Sequence, residues 1–429
     1  MTITLPTQPT GKQFEEAVAA FVRSIGYFTE NRTVFDYEGR EILELDVVAS
    51  PISDDFTKRI LVDAKKSTAG FADIFKIYGW RTFLKIPRGC IAHGSAMGAH
   101  EIAAFKEVCP KLEVYADSFE IGASKPPLME SVPTINVGAP EELRRTAAAV
   151  GWYGLIADRL VLESFRALRK KNPEDPLLIR VRQYRRGCQV AFFEADPFRR
   201  AELLYEAYKT DPGISGACVA WQAVKSGKSE NEIWEAIRDT AEFPWIQHVL
   251  SLETRARLPI IKNGLEAALA SELTEEKIHG FWKALKLSML PNNFGKGFER
   301  ASGSSNRTAI PYILQLYTEL FGGFLLDDTD KFQLASLAGK KTDAVDEALD
   351  ILDIFYPTKN GWHTTSKELR MLKMIPAYRR GVGAFMRKIS RKLDAYSSVA
   401  PKMHWLVGNW HNAALAILEQ ELAVKAPSA

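Results

Sequence analysis

Two stretches, Glu44-Leu45-Asp46-Val47-Val48-Ala49 and Ile60-Leu61-Val62-Asp63-Ala64-Lys65-Lys66-Ser67, decide how this chain is read. Both are short and rich in Val, Leu and Ile, which is the pattern of strands in a sheet core. Yet each carries a carboxylate at its centre. Side chains two apart in a strand share a face, so Glu44, Asp46 and Val48 project from one side while Leu43, Leu45 and Val47 project from the other. The same rule puts Asp63 and Lys65 together. If the two strands are neighbours, two carboxylates and an ammonium converge on one spot of an otherwise apolar surface. Such charges are costly to bury unless they are paired or coordinate an ion.

The flanking sequence supports that neighbourhood. Upstream, Phe14, Val18, Phe21 and Ile25 recur at helical spacing. Thr10 and Gln13 form a Thr-x-x-Gln capping box, and Gly26 supplies a stop. Three β-rich runs follow at 27–36, 41–49 and 59–65, joined by Glu38-Gly39 and by a Ser-Pro-Ile-Ser-Asp-Asp turn, so a meander is expected. Beyond it the pattern predicts a helix over 71–84, a strand near 90–93, a helix near 100–107 and a strand near 112–116. The order αβββαβαβ defines an α+β N-terminal domain over 1–123.

Carboxylate oxygens on adjacent strands suit Mg²⁺, with Mn²⁺ as a substitute, because these ions take a few protein oxygens and keep positions open for water and phosphate. A lysine beside such an ion can stabilise an anionic transition state or orient the attacking water. The arrangement points to phosphodiester hydrolysis. A cross-strand ion pair between Asp63 and Lys65, worth about 0.2–1 kcal/mol, is the simpler alternative.

At these residues the chain resembles the PD-(D/E)XK nuclease superfamily, in its Mrr-like and restriction-endonuclease-like branch. The match consists of GKQFEEAVAAFVRSIGY (11–27), ELDVVA (44–49), LVDAKK (61–66) and the element order around them, and it covers about the first 120 residues. Leucine rather than proline precedes Asp46, the D-x-K acid is aspartate, and no Gln-x-x-x-Tyr follows the third strand. The resemblance implies that Asp46, Asp63 and the Ala64 main-chain carbonyl hold the metal and that Lys65 is the catalytic lysine. It makes Glu15 an auxiliary carboxylate for a second metal or its water. It also implies a DNA endonuclease of restriction or phage-defence type. A homodimer is expected, since cutting both strands with one site per chain generally needs two chains. A nuclease-like scaffold that binds a partner protein without cutting, and a nuclease acting on RNA or branched repair intermediates, stay open as alternatives.

The remaining chain reads differently. At 429 residues and roughly 150 per domain, about three domains are expected. Residues 124–140, rich in Pro and small residues, read as a linker, and 141–290 as a helical domain. A Gly/Ser/Asn-rich loop is expected at 291–311, and a C-terminal helical domain at 312–429. Within the latter, three helices and a hairpin-like YPTKNGWHTT give the winged-helix order. Its third helix carries Asp343, Asp346, Glu347, Asp350 and Asp353, so it should pack against protein rather than phosphate.

The net charge of +3 hides a division: residues 1–130 hold 15 basic against 18 acidic residues, and the rest 41 against 35. The expected contacts to nucleic-acid phosphates are Lys66, Arg182, Arg185, Arg186, Arg379, Arg380, Arg387 and Lys388, with a strongly salt-dependent contribution. The helical region can also serve a regulatory protein partner. Four scattered cysteines and seven histidines without HExxH or CxxC spacing argue against a disulfide framework or a zinc site. His93 and His100 fall near the cleft edge, and His404 and His411 on a Trp-rich helix. No run approaches the ~18–20 apolar residues of a membrane span and the start lacks a signal-peptide pattern, so the reading is cytoplasmic.

Overall fold

A computed structural model describes residues 5–38, 40–52, 58–67, 69–95, 98–108, 114–119, 121, 130–152, 154–156, 294–321 and 328–355. It adds short pieces at 192–193, 258–259, 261–263, 265–266, 324–325, 364–365 and 370–371. The basic segments with Arg182, Arg185, Arg186, Arg379, Arg380, Arg387 and Lys388, and the histidines His404 and His411, lie outside the described residues. The chain divides into two compact units. One is Met1–Ile156 with Ala335–Lys341, the other Ala157–Leu334 with Thr342–Ala429.

The first unit begins with α1 (Gly11–Ser24). Its capping box forms as the sequence predicts: Gln13 N donates to Thr10 Oγ1 and Thr10 N donates to Gln13 Oε1 at 2.8 Å. Such caps are worth about 1 kcal/mol. Phe14, Val18 and Val22 are fully buried, each contributing roughly 1.5–3 kcal/mol relative to exposure. Then come β1 (Tyr27–Tyr37), β2 (Arg40–Pro51), β3 (Ile60–Lys65), α2 (Phe71–Leu84), β4 (Arg88–His93), α3 (Ala99–Val108) and β5 (Val114–Ser118). The sheet order is β1-β2-β3-β4-β5, antiparallel through β3 and parallel from β3 to β5. The expected αβββαβαβ order is therefore present as a mixed five-stranded sheet with flanking helices. β5 runs two residues past its predicted end, because Ala92↔Asp117 and His93↔Ser118 carry the ladder to the tip of β4.

Helix α1 lies against β1, β2 and β3, α2 against β3, β4 and β5, and α3 against β5. Residues 130–140, the described part of the stretch read as a linker, pack onto the start of the sheet. Ile135 N donates to Ile25 O at 2.8 Å, the Tyr27 hydroxyl donates to Pro133 O at 2.9 Å, and Asn136 Nδ2 donates to Ser24 O at 2.9 Å. Gly26, with φ of 112°, is required there, since a Cβ would meet Ile135 Cβ at 2.8 Å. The helical segment 141–152 follows, and its Trp152 Nε1 donates to Gln13 O at 2.9 Å.

In the second unit, helix α4 (Phe294–Ser302) occupies part of the stretch expected as a loop. Glycine costs up to about 1 kcal/mol per helical position relative to alanine. Phe298 and Ala301 are nevertheless buried, at 4% and 0% exposure, and packing outweighs propensity. Helix α5 (Ile310–Glu319) precedes β6 (Phe324–Leu325), and α6 (Asp328–Leu337) and α7 (Thr342–Phe355) precede β7 (Thr364–Thr365) and β8 (Arg370–Met371). The three two-residue strands form an antiparallel sheet in the order β6-β8-β7. Helix α7 buries Ala344, Val345, Ala348, Leu349, Ile351 and Leu352 against α4 and α5. Among its acids, Asp346 pairs with Lys331 and Glu347 Oε2 accepts from Asn306 Nδ2 at 2.9 Å; Asp343 and Asp350 are exposed. Among the described residues no helix is long and apolar enough to cross a membrane.

Candidate metal and phosphate site

The alternation read from the sequence holds in β2. Leu43, Leu45 and Val47 are buried on one side, while the other presents exposed Glu44, half-buried Asp46 and buried Val48. The pairs Val47↔Val62 and Val48↔Leu61 set a register that, continued by one residue, brings Asp46 opposite Asp63. Asp46 Oδ2 accepts a hydrogen bond from Ala64 N at 2.8 Å, which fixes its carboxylate at the β3 strand.

Asp63 is 1% exposed. Lys65 Nζ stands 3.1 Å from its Oδ2, and Lys76 Nζ of α2 stands 3.7 Å from its Oδ1. Beyond these ion-pair approaches neither oxygen receives an oriented hydrogen bond. Lys65 Nζ also lies 3.6 Å from Asp73 Oδ1. Asp73 is anchored in turn, its Oδ2 accepting from Gly70 N at 2.9 Å in the first turn of α2. Lys76 rests over the Trp80 ring at 4.0 Å, a cation–π contact that steadies its ammonium.

The electrostatics follow from this crowding. Burial, then the facing Asp63 charge, pushes Asp46 up to about 7, with Glu15 adding to the rise and the Ala64 N–H and Lys65 opposing it. Burial alone would lower Lys65, but Asp63, Asp46 and Asp73 outweigh it and hold the ammonium above its ordinary value. Burial raises Glu15 as well, against the neighbouring Arg32 guanidinium. His93 on β4 pairs with Lys65 in the ladder and is fully buried, its Nδ1 accepting from Ala69 N at 3.4 Å. Burial lowers its pKa despite the surrounding Asp73, Asp63, Asp117 and Glu101. Gly94 closes this end of the strand: its N donates to Lys65 O at 2.8 Å, and a Cβ would meet Phe14 Cε2 at 2.9 Å and Lys66 O at 3.0 Å.

The expected residues are thus placed as follows. Asp46, Asp63 and Lys65 come together. Glu15 stands near Asp46 electrostatically, with its carboxylate engaged by Arg32, whose Nε is 3.4 Å from Oε2. Lys66 and His100 are exposed. Sequence reading missed Asp73 and Lys76, three apart on one face of α2. An acid in the first turn of the helix after the D-x-K strand, with a base three residues on, was the available signal. It also missed Arg32, which has φ of 51°, a left-handed backbone that costs a Cβ-bearing residue about 1–2 kcal/mol.

Among the described residues no group of three or more His, Cys, Asp or Glu side chains is gathered as a metal cage. The donor set suits Mg²⁺ nonetheless, since that ion is commonly held by one or two carboxylates plus water and substrate phosphate. A buried carboxylate, Asp63, with both oxygens short of oriented donors, facing a half-buried one, Asp46, pushed up to about 7, is a pair whose mutual repulsion a divalent cation would relieve. No protein-family model matches this chain, and neither a curated protein nor a solved structure matches it.

Proposed function

We propose that the first unit is a divalent-metal-dependent endonuclease of the PD-(D/E)XK type that hydrolyses DNA phosphodiester bonds, in a restriction or phage-defence role. The observation that carries this reading is the convergence of Asp46, Asp63 and Lys65 at the β2–β3 junction, with Ala64 N on Asp46 Oδ2 at 2.8 Å and Lys65 Nζ 3.1 Å from Asp63. Asp46, Asp63 and the Ala64 carbonyl would hold Mg²⁺ or Mn²⁺. When bound, the ion supplies positive charge against the charge that develops on the phosphoryl group.

The chain's own residues then have distinct tasks. Lys65, kept protonated by three surrounding aspartates, is a cation and hydrogen-bond donor toward a phosphate oxygen or the attacking water, not a proton acceptor. Asp73 holds that ammonium in place from α2. Lys76 offers a second positive charge on the far side of Asp63. The second unit, with its winged-helix-like order of helices and short strands, would serve binding, assembly as a homodimer, or regulation by a protein partner.

Purified protein with Mg²⁺ should nick or cut plasmid DNA, and Asp63→Ala should abolish this with the fold intact by circular dichroism. Equal cutting by Asp63→Ala would sink the site. Side-by-side duplex, branched, single-stranded and RNA substrates fix the substrate class. A second reading, a nuclease-like domain that docks on a partner without cutting, draws on the exposed α2 side chains Phe71, Phe75 and Phe83, at 49%, 62% and 62% exposure. It predicts no cleavage under any metal and loss of the partner on Phe75→Ala.

A further inference from the structure

We infer that the Arg32 guanidinium takes the place of a second metal ion beside Glu15, so that the site binds one divalent cation, through Asp46 and Asp63. The inference rests on the nuclease reading and revises the role expected for Glu15.

Arg32 lies in the middle of β1. Its neighbours pair as Asn31↔Val47 and Thr33↔Leu45, which places Arg32 across from Asp46 with no residue inserted on either strand. The register is the same on both sides while the ladder skips Arg32 itself, and Arg32 alone of these residues adopts a left-handed backbone, with φ of 51°. Glycine or asparagine would meet that conformation at lower cost. An arginine persists in it only where its side chain makes contacts that outweigh the strain.

Those contacts converge on α1. Arg32 Nε is 3.4 Å from Glu15 Oε2, and Nη2 is 3.3 Å from Glu16 Oε1 and donates to the Lys12 carbonyl at 3.3 Å. Both members of the Glu15 pair are about one-fifth exposed, so solvent screens the interaction only in part. The planar guanidinium fork suits two acceptors at once, which a compact ammonium does not. A metal ion coming to Glu15 would have to displace this charge and then lie next to it. Glu15 therefore stands at the Asp46 end of the site as a carboxylate already paired by the chain itself.

The test is Mn²⁺ binding by the metal-free full-length protein without nucleic acid, followed by calorimetry and by the electron paramagnetic resonance signal of free Mn²⁺. Wild type and Glu15→Gln should each bind one ion per chain. Arg32→Met should bind a second, and Arg32→Met/Glu15→Gln should return to one. Arg32→Lys, which keeps the charge, is the control for folding and should bind one. Two ions in wild type, loss of the ion in Glu15→Gln, or a single ion in a folded Arg32→Met would each overturn the inference while leaving the nuclease reading standing. No ion in wild type would overturn the nuclease reading itself, and this inference with it.

Discussion

Two acidic clusters among the described residues are opposites. At the β2–β3 junction Asp46 and Asp63 face each other from neighbouring strands, Asp63 at 1% exposure and Asp46 pushed up to about 7. On α7 the acids Asp343, Asp346, Glu347 and Asp350 are spread along a helix, where Lys331 pairs with Asp346 and Asn306 donates to Glu347. The helix has the larger number of acids and the sheet has the more crowded ones. Helical spacing lets carboxylates lean into water or onto surface partners, whereas two adjacent strands press theirs together with few lone pairs answered. What marks a site is buried acceptor capacity that the fold leaves open to a cation, rather than the count of negative charges.

The strongest way to break that contrast is to remove a carboxylate from each cluster and assay cleavage. Asp63→Ala should lower plasmid cleavage on the order of 1,000-fold, because loss of the ion forfeits several kcal/mol of transition-state stabilisation. Lys65→Met should cost on the order of 100- to 1,000-fold in kcat, comparable to deleting one preorganised donor, with Mn²⁺ binding retained. If Lys65→Met abolished metal binding instead, the ammonium would be holding the aspartates rather than meeting substrate. Raising the pH should not rescue the variant, since the ammonium that the aspartates keep protonated in wild type supplies positive charge, which added hydroxide does not replace.

Much of the first cluster could be read before any coordinates. The Val/Leu/Ile runs around Asp46 and Asp63, their period of two and the turn between them suffice to place two carboxylates on facing strands. Thr10 and Gln13 announce the start of α1 in the same local way. Arg32 was not legible, because a left-handed residue inside an uninterrupted strand leaves no glycine or asparagine to betray it. Asp73 and Lys76 reach Asp63 and Lys65 only through the packing of α2 on the sheet, which helical periodicity does not encode. Helix α4 was hidden by its glycines, since the burial of Phe298 and Ala301 that stabilises it is a tertiary fact.

A smaller effect sharpens the contrast through stability. Asp46 has a folded pKa of about 7 against an ordinary 3.8, so the fold favours its protonated form. That contribution is fully present below about pH 4, declines as the pH rises and is gone above about 7. Metal-free wild type should therefore lose roughly 2–4 kcal/mol relative to Asp46→Asn between ~pH 4 and ~pH 8, read as a widening gap in urea midpoints. Saturating Mg²⁺ should narrow the gap at the higher pH by stabilising the ionised carboxylate. Parallel pH profiles for the two proteins would show that Asp46 ionises without strain and would remove the main electrostatic reason for a cation there.

The smallest effect belongs to α7, and its sign is instructive. Asp346 is 48% exposed and Lys331 25%, so their ion pair is worth only about 0.2–1 kcal/mol. Asp346 also stands three residues from Asp343 and four from Asp350, each a like-charge neighbour costing a few tenths of a kcal/mol. Asp346→Asn removes the attraction and both repulsions together, and should move stability by no more than about 0.5 kcal/mol with cleavage unchanged. Added salt should shrink even that difference, because every charge involved is reached by solvent. A loss above about 2 kcal/mol would instead place Asp346 in the company of Asp63, as an acid whose pairing the fold depends on, and the distinction between a solvated acidic face and a buried carboxylate pair would no longer separate the two units.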